Sequence, residues 1–454
     1  MIQKIVYLES YGCSANQNNA EIMSGILESN GIMVIRSRIP RLTSDVVIIN
    51  TCIVKEPTEQ RMIFRIKEIL KHFNKIVIVG CFVDYDSKKI LDSIKKVNPR
   101  ANFALVSVKN ITQIKEAVHA LIKGENIILG DKENKSSKRK IIKRELKLNY
   151  PKENINRIIG ITQISEGCIG NCAYCAVKLA RGNLYSYPIE KIVENIQLDI
   201  RKGSKEIWLT SQDNAIYGLD RLNREHQLPL LLSHILKLKN RFYLRLGMMN
   251  PSSLKNILEE ILKFYKDKKM FKFIHIPVQS GSNKILKLMH RPYNSSDFIK
   301  IIEKIKENIP EMTISTDIIV GFPGETDKDF QETLNLIKVT RPNIVNVSRF
   351  WAMKGTEAFN LQEKNPVSIE IISKRIKKLK EICDQIALEN NKPYIGKEIE
   401  ILIDEKNKRG NLIGRTKNYK QVLLPLNERK IKIGDKIKVK IMNVAKGDLK
   451  GVVV

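Results

Sequence analysis

The sequence predicts an α/β protein in three parts: an N-terminal parallel α/β sheet, a central partial (β/α)6 barrel, and a small C-terminal β-barrel. Three observations carry this prediction. Over residues 1–125, and again over 158–390, short runs of β-branched residues alternate with amphipathic helical segments, the pattern of a parallel sheet covered by helices. Between them, residues 126–157 turn polar and basic, as a linker does. From residue 391 to 454 the chain changes to short alternating strands separated by Gly and Asn turns.

At 454 residues the chain is long enough for roughly two to four domains with separate cores. No apolar run is long enough to cross a bilayer, and Met1-Ile2-Gln3-Lys4-Ile5-Val6-Tyr7 runs straight into a strand pattern, so a cytoplasmic protein with no membrane partner is expected. In a reducing compartment, seven cysteines read as metal ligands more readily than as disulfides. A formal net charge of +30 points to a polyanionic partner, nucleic acid first. The competing account spreads the lysines of a Lys- and Ile-rich composition over solvated faces, and charge alone does not separate the two.

In the first part, strands over 5–8, 46–49 and 76–79 precede helices over 20–27, 59–70 and 88–96. Cys13, Cys52 and Cys81 come immediately after the three strands. Parallel strands of one sheet end on a common edge, where open α/β sheets place their ligands, so thiols far apart in sequence can meet there. Three thiolates suit an iron–sulfur cluster with one iron left open; the alternative is three unrelated buried cysteines. The linker carries Lys135-Ser136-Ser137-Lys138-Arg139-Lys140 and Lys143-Arg144, which read as a basic ribbon able to touch RNA or as a solvated charge run.

In the second part, strands are expected over 158–163, 206–210, 242–246, 271–276, 313–320 and 344–350, with a helix over 189–202 after the first. The first strand leads into Glu166-Gly167-Cys168-Ile169-Gly170-Asn171-Cys172-Ala173-Tyr174-Cys175. Its C-x3-C-x2-C spacing, with two glycines that free the backbone to curl, is built to hold a bulky inorganic group. Zinc would want a fourth ligand, usually from a second close pair, and none follows at zinc-finger spacing. A four-iron cluster on three thiolates keeps one iron open for a ligand that is not protein.

Polar groups follow the later strands, where a barrel reads its ligand. They are Thr210-Ser211-Gln212-Asp213; Arg245, suited to a carboxylate; His275-Ile276-Pro277-Val278-Gln279-Ser280-Gly281-Ser282; Asp317; and Gly321-Phe322-Pro323-Gly324-Glu325-Thr326. Singly each has a plainer account: His275 as a core histidine, Glu325 and Asp327 as the acidic start of a helix. In the third part, strands over 398–403, 411–416, 421–424 and 436–441 form a basic small barrel, read as an RNA-binding module or as passive packing.

The cysteine loop, with an aromatic residue before its last cysteine, resembles the signature of the radical S-adenosylmethionine (SAM) enzymes. The whole layout resembles the methylthiotransferase family, in which an N-terminal three-cysteine domain, a radical SAM barrel and a TRAM domain follow one another. Tyr11-Gly12-Cys13, Asn50-Thr51-Cys52, Val79-Gly80-Cys81, Ala180-Arg181-Gly182 and the loops named above carry the resemblance. Ile207-Trp208-Leu209-Thr210-Ser211, Leu244-Arg245-Leu246-Gly247-Met248 and Ser165-Glu166-Gly167 look like the archaeal and eukaryotic branch, which acts on tRNA.

That resemblance implies conversion of N6-threonylcarbamoyladenosine beside the anticodon, at tRNA position 37, to its 2-methylthio form. It implies two [4Fe-4S] clusters: one on Cys168, Cys172 and Cys175 that cleaves SAM, and one on Cys13, Cys52 and Cys81 that carries sulfur. It further implies SAM contacts from Tyr174, Ser211, Gln212, Arg245, Gln279, Asp317 and Gly321, a flavodoxin- or ferredoxin-like electron donor, and a sulfur donor. No residue is assigned as general acid or base, since the cofactor carries the difficult step. Isopentenyl-adenosine in tRNA or a ribosomal-protein aspartate as substrate, a radical SAM enzyme of another reaction type, and a non-enzymatic RNA-binding metal protein are the alternatives. Where the family reads Arg-Pro-Gly-Thr, this chain has Met353-Lys354-Gly355-Thr356, and Cys383 matches no ligand position.

Overall fold

The computed structural model describes residues 3–37, 44–130, 145–425 and 431–454. The basic run spanning Lys135 to Arg144 lies outside the described residues.

The N-terminal sheet has six parallel strands: β1 (Ile5–Ser10), β2 (Met33–Arg36), β3 (Val46–Thr51), β4 (Lys75–Gly80), β5 (Asn102–Val106) and β6 (Ile127–Leu129), in the order β2-β1-β3-β4-β5-β6. Strands β3 and β4 are buried almost throughout, which is why their sequences read as unbroken apolar runs. The sheet continues past residue 125, because β6, inside the stretch read as linker, pairs with β5.

That stretch is also less solvated than its charge suggests. Lys147 and Lys152 are both buried, Lys147 ion-paired with Glu166, and Lys152 with Asp199 at 3.0 Å and Glu21 at 3.4 Å. The helix Ser14–Glu28 is wedged between the first sheet and the barrel, and starts six residues earlier than its apolar pattern. Gly25 of this helix is required by a close approach: a Cβ there would sit 2.2 Å from the Pro151 carbonyl oxygen, where the chain crosses.

The barrel strands are β7 (Ile159–Gln163), β10 (Glu206–Thr210), β11 (Tyr243–Leu246), β12 (Phe273–His275), β13 (Thr313–Val320) and β14 (Ile344–Arg349), all inside the stretches expected. A short antiparallel pair, β8 (Ser165–Glu166) and β9 (Tyr185–Ser186), brackets the cysteine loop. Two parallel three-stranded sheets, β11-β10-β7 and β12-β13-β14, meet through a parallel bridge between Leu244 and Met270, giving an open arc of six strands. The largest apolar core lies between this arc and its helices.

The C-terminal strands β15 (Glu398–Lys406), β16 (Leu412–Thr416), β17 (Gln421–Leu423), β18 (Lys436–Val444) and β19 (Leu449–Val453) close into a five-stranded barrel, one strand more than the alternation suggested. It packs on the starts of the parallel strands, away from the cysteine loop: Leu402 lies with Ile158 and Ile159, and Tyr419 lies against Phe271 and Phe273 with ring centroids 4.8 and 5.2 Å away. No helix among the described residues is long and apolar enough to cross a membrane.

Candidate active site

Cys13, Cys52 and Cys81 lie at the C-terminal edge of the first sheet, each one to three residues past its strand. The two Gly-Cys pairs are steric requirements. Gly12 has φ +110°, and a Cβ on it would lie 2.9 Å from Cys52 Cβ and 3.0 Å from its Sγ; Gly80 has φ +100° and faces the Asn50 side chain at 2.7 Å. Asn16, buried in the first turn of its helix, donates to the carbonyls of Tyr11 at 2.9 Å and Thr51 at 2.8 Å, tying two of the cysteine loops together. Burial pushes the Cys52 thiol up to about 12, with the neighbouring Cys81 and Cys13 adding to it, and burial also raises Cys81. Thiols so placed become thiolates only beside a compensating positive charge, which an iron cluster supplies.

The second thiol group is held by the loop between β8 and the helix Ala176–Arg181. Gly170 donates its N–H to Cys168 Sγ at 3.2 Å, and a Cβ on it would point between Cys168 Sγ at 3.3 Å and Cys172 Sγ at 3.9 Å. Burial, then the nearby Asp213 carboxylate, pushes the Cys168 thiol up to about 11. Arg291 donates to Cys172 Sγ at 3.2 Å and to the Pro277 carbonyl at 3.0 Å. Donor set, glycine clearance and adjacent cation fit a cluster bound through three thiolates. Among the described residues no three His, Cys, Asp or Glu side chains gather as they would around a single metal ion.

The two thiol groups are mechanically connected. The helix that follows Cys175 packs on the helix Cys81–Val97 and ends at Arg181, which is buried. Arg181 bonds Asn16 Oδ1 at 2.7 Å and Glu166 Oε1 at 3.1 Å, and its charge acts on Cys81. Ser14, beside Cys13, shares a 2.6 Å hydrogen bond with Thr210 at the end of β10. A cavity of about 350 Å³ opens at this junction, lined by Val54 and Lys55 just past Cys52, by Tyr174 of the cysteine loop, and by Gln279, Asp317 and Arg349 from the barrel.

Of the residues expected to meet SAM, Tyr174, Gln279 and Asp317 line this cavity. Tyr174 packs edge-on against Phe322 with centroids 6.4 Å apart. Gln279 adopts φ +73°, held by backbone hydrogen bonds of 2.8 and 2.9 Å to Asp317 and Ile319 on β13. Asp317 accepts from Asn346 at 2.8 Å and lies 3.0 Å from His275 Nε2, so His275 belongs to the mouth and not to the apolar core. Ser211 Oγ is buried and has no hydrogen-bond partner, the kind of atom a polar ligand completes.

Three expectations change. Gln212 accepts from the Gly167 N–H at 2.7 Å, so its side chain braces the cysteine loop. Arg245 points toward the C-terminal barrel, its guanidinium carbon 4.8 to 5.1 Å from the ring centres of Trp208, Phe273 and Tyr419, where aromatic faces and not a carboxylate receive it. Gly321 is needed because a Cβ would meet Ile372 Cγ1 at 2.4 Å, so its bare face is filled by the helix Ile369–Asn391 and not by a ligand. Glu325 and Asp327 bond Arg375 of that helix at 2.7 and 2.8 Å, a tie that the helix-start account did not foresee. Arg291, Lys147 and Arg349 went unnoticed in the sequence: the Cys172 that Arg291 meets and the Glu166 that Lys147 meets lie 119 and 19 residues away, and Arg349, stacked on nearby Trp351, is marked only by the cavity the fold places it in.

An open parallel barrel with a three-cysteine loop at its mouth defines a radical SAM enzyme. Residues 162–337 match the Radical SAM superfamily, residues 5–99 the Uncharacterized protein family UPF0004, and residues 392–454 the TRAM domain. Among solved structures, the radical S-adenosylmethionine methyltransferase TsrM from Kitasatospora setae superposes with a TM-score of 0.52 at 13% identity, covering 77% of this chain and 72% of that one, a likeness of fold. Among curated proteins, a probable threonylcarbamoyladenosine tRNA methylthiotransferase of Pyrococcus horikoshii is 38% identical over 92% of this chain and 93% of its own length. The threonylcarbamoyladenosine tRNA methylthiotransferase of Homo sapiens is 33% identical over 99% of this chain and 74% of its own. The chain belongs to the threonylcarbamoyladenosine tRNA methylthiotransferase family.

Proposed function

We propose that the protein methylthiolates C2 of N6-threonylcarbamoyladenosine at position 37 of tRNA, in the cytoplasm, with SAM and two [4Fe-4S] clusters. Cys168, Cys172 and Cys175 would hold the cluster that works with SAM, and Cys13, Cys52 and Cys81 the one that serves sulfur insertion. The observation that carries this reading is the single junction that joins the supports of both thiol groups, through Arg181, Ser14 and the cavity lined by Lys55 and Tyr174.

When bound, the cluster and SAM together supply hydrogen abstraction from a carbon with no acidic proton, which no side chain can do. The chain's own residues position and shield. Gln212 and Gly167 fix the cysteine loop, Arg291 offsets thiolate charge at Cys172, and Ser211, Gln279 and Asp317 present polar groups toward SAM. The basic C-terminal barrel supplies RNA contacts; because it packs at the strand starts, a tRNA that touches it and the mouth runs along the flank of the barrel. An electron donor of the flavodoxin or ferredoxin type and a sulfur donor complete the reaction.

The test is mass spectrometry of hydrolysed tRNA from cells lacking the gene. The 2-methylthio nucleoside is expected to vanish while N6-threonylcarbamoyladenosine persists. An unchanged 2-methylthio signal overturns the substrate assignment, and its loss from isopentenyl-adenosine instead would move the assignment there.

A further inference from the structure

The mouth cavity carries two cations that sulfur chemistry does not use. Arg349, the last residue of β14, lies flat on Trp351, with its guanidinium carbon 3.4 Å from the ring centre. Stacking occupies the face of the guanidinium and leaves its N–H edge free to take a planar anion. Among the described residues, neither the Arg349 guanidinium nor the Lys55 ammonium has a carboxylate partner, and the one carboxylate lining the cavity, Asp317, meets Asn346 and His275 through Oδ1, so two cations face a single acid. The cavity therefore holds excess positive charge beside an aromatic plane.

Resting on the function proposed above, we infer that Arg349, oriented by Trp351 and assisted by Lys55, receives the carboxylate of the threonyl group on the target adenosine. That carboxylate is the one charged group by which this nucleoside differs from isopentenyl-adenosine, whose N6 substituent is an uncharged hydrocarbon. A guanidinium already stacked and without a carboxylate gains a bidentate, charge-assisted contact from the first and nothing from the second. An apolar substituent would leave both cations buried against the RNA without a partner, which adds discrimination. Arg349 is thus a specificity-determining residue.

The test titrates the reconstituted full-length protein, with oxygen excluded, against one anticodon stem-loop RNA in three forms: with threonylcarbamoyladenosine, with its carboxamide, and with plain adenosine. The wild type is expected to bind the carboxylate form about 10- to 100-fold more tightly than the carboxamide, as a charge-assisted bidentate contact implies. Arg349→Gln is expected to lose that preference while binding the other two forms as the wild type does. Lys55→Gln, a change at an exposed residue, is expected to reduce the same preference about two- to fivefold. Equal wild-type affinity for carboxylate and carboxamide overturns the inference, as does a loss shared equally by all three RNAs in both variants. A wild type that prefers the carboxylate form yet leaves no methylthio group on it sustains the inference and sinks the proposed function.

Discussion

Glu166, two residues before the first cysteine of the loop, is fully enclosed and shared by two buried cations, Lys147 and Arg181. Removing the partner of a buried ion costs about 3–5 kcal/mol when nothing replaces it. Arg181→Met still leaves Glu166 with Lys147, so its cost should be smaller, about 1–3 kcal/mol, including the lost 2.7 Å bond to Asn16. Lys147→Met leaves Glu166 with Arg181 at 3.1 Å and should cost a similar amount. The double variant strands the carboxylate, and its cost should exceed the sum of the singles by about 1–3 kcal/mol. Urea unfolding followed by circular dichroism reads all three, with equal slopes required before midpoints are compared. Simple additivity would show that Glu166 is not neutralised by both cations together, and would refute the shared ion pair.

Other changes report on separate parts of the molecule. Gly12→Ala introduces a Cβ about 3 Å from Cys52 at φ +110°, so iron bound by the N-terminal thiols is expected to fall while the barrel's cysteine loop still loads; retained iron would contradict the packing. Burial, with Asp404 nearby, pushes the Glu206 carboxyl up to about 7. A carboxyl raised above its unfolded value contributes stability at low pH and loses it as pH rises through that value. Glu206→Gln is therefore expected to gain on the wild type, on the order of 1–3 kcal/mol, between about pH 5 and pH 8. A difference independent of pH would refute it. Gly321→Ala must displace Ile372 of the helix Ile369–Asn391 and is expected to lower the melting temperature by several degrees, with Ile372→Ala partly restoring it.

How much of this was legible depends on whether the signal is local. The six barrel strands are short apolar runs, most of them β-branched, and the three N-terminal cysteines betray a sheet edge because each follows such a run. Strands β2, β5 and β6 are short or mixed, and β19, with Lys450 and Gly451 at its centre, lacks an apolar run. The start of the helix Ser14–Glu28 was hidden because its first turns are polar yet buried: Asn16 faces inward to serve backbone carbonyls, which periodicity counts as a solvent face. Arg245 and Gly321 were misread for a related reason. Residue type told what each could bind, but Tyr419 and Ile372, the atoms that occupy those positions, come from 174 and 51 residues away in sequence. Lys147 and Lys152 sat in a charged stretch, and only the fold reveals the acids that bury them.

If each thiol group holds a cluster of its own at the shared junction, iron and acid-labile sulfide counted on protein reconstituted without oxygen will show it. The wild type should hold about eight irons, and replacing either Cys13, Cys52 and Cys81 or Cys168, Cys172 and Cys175 with alanine should leave about four in each case. Iron unchanged by either triple substitution, or zinc in place of iron in the wild type, would contradict the account.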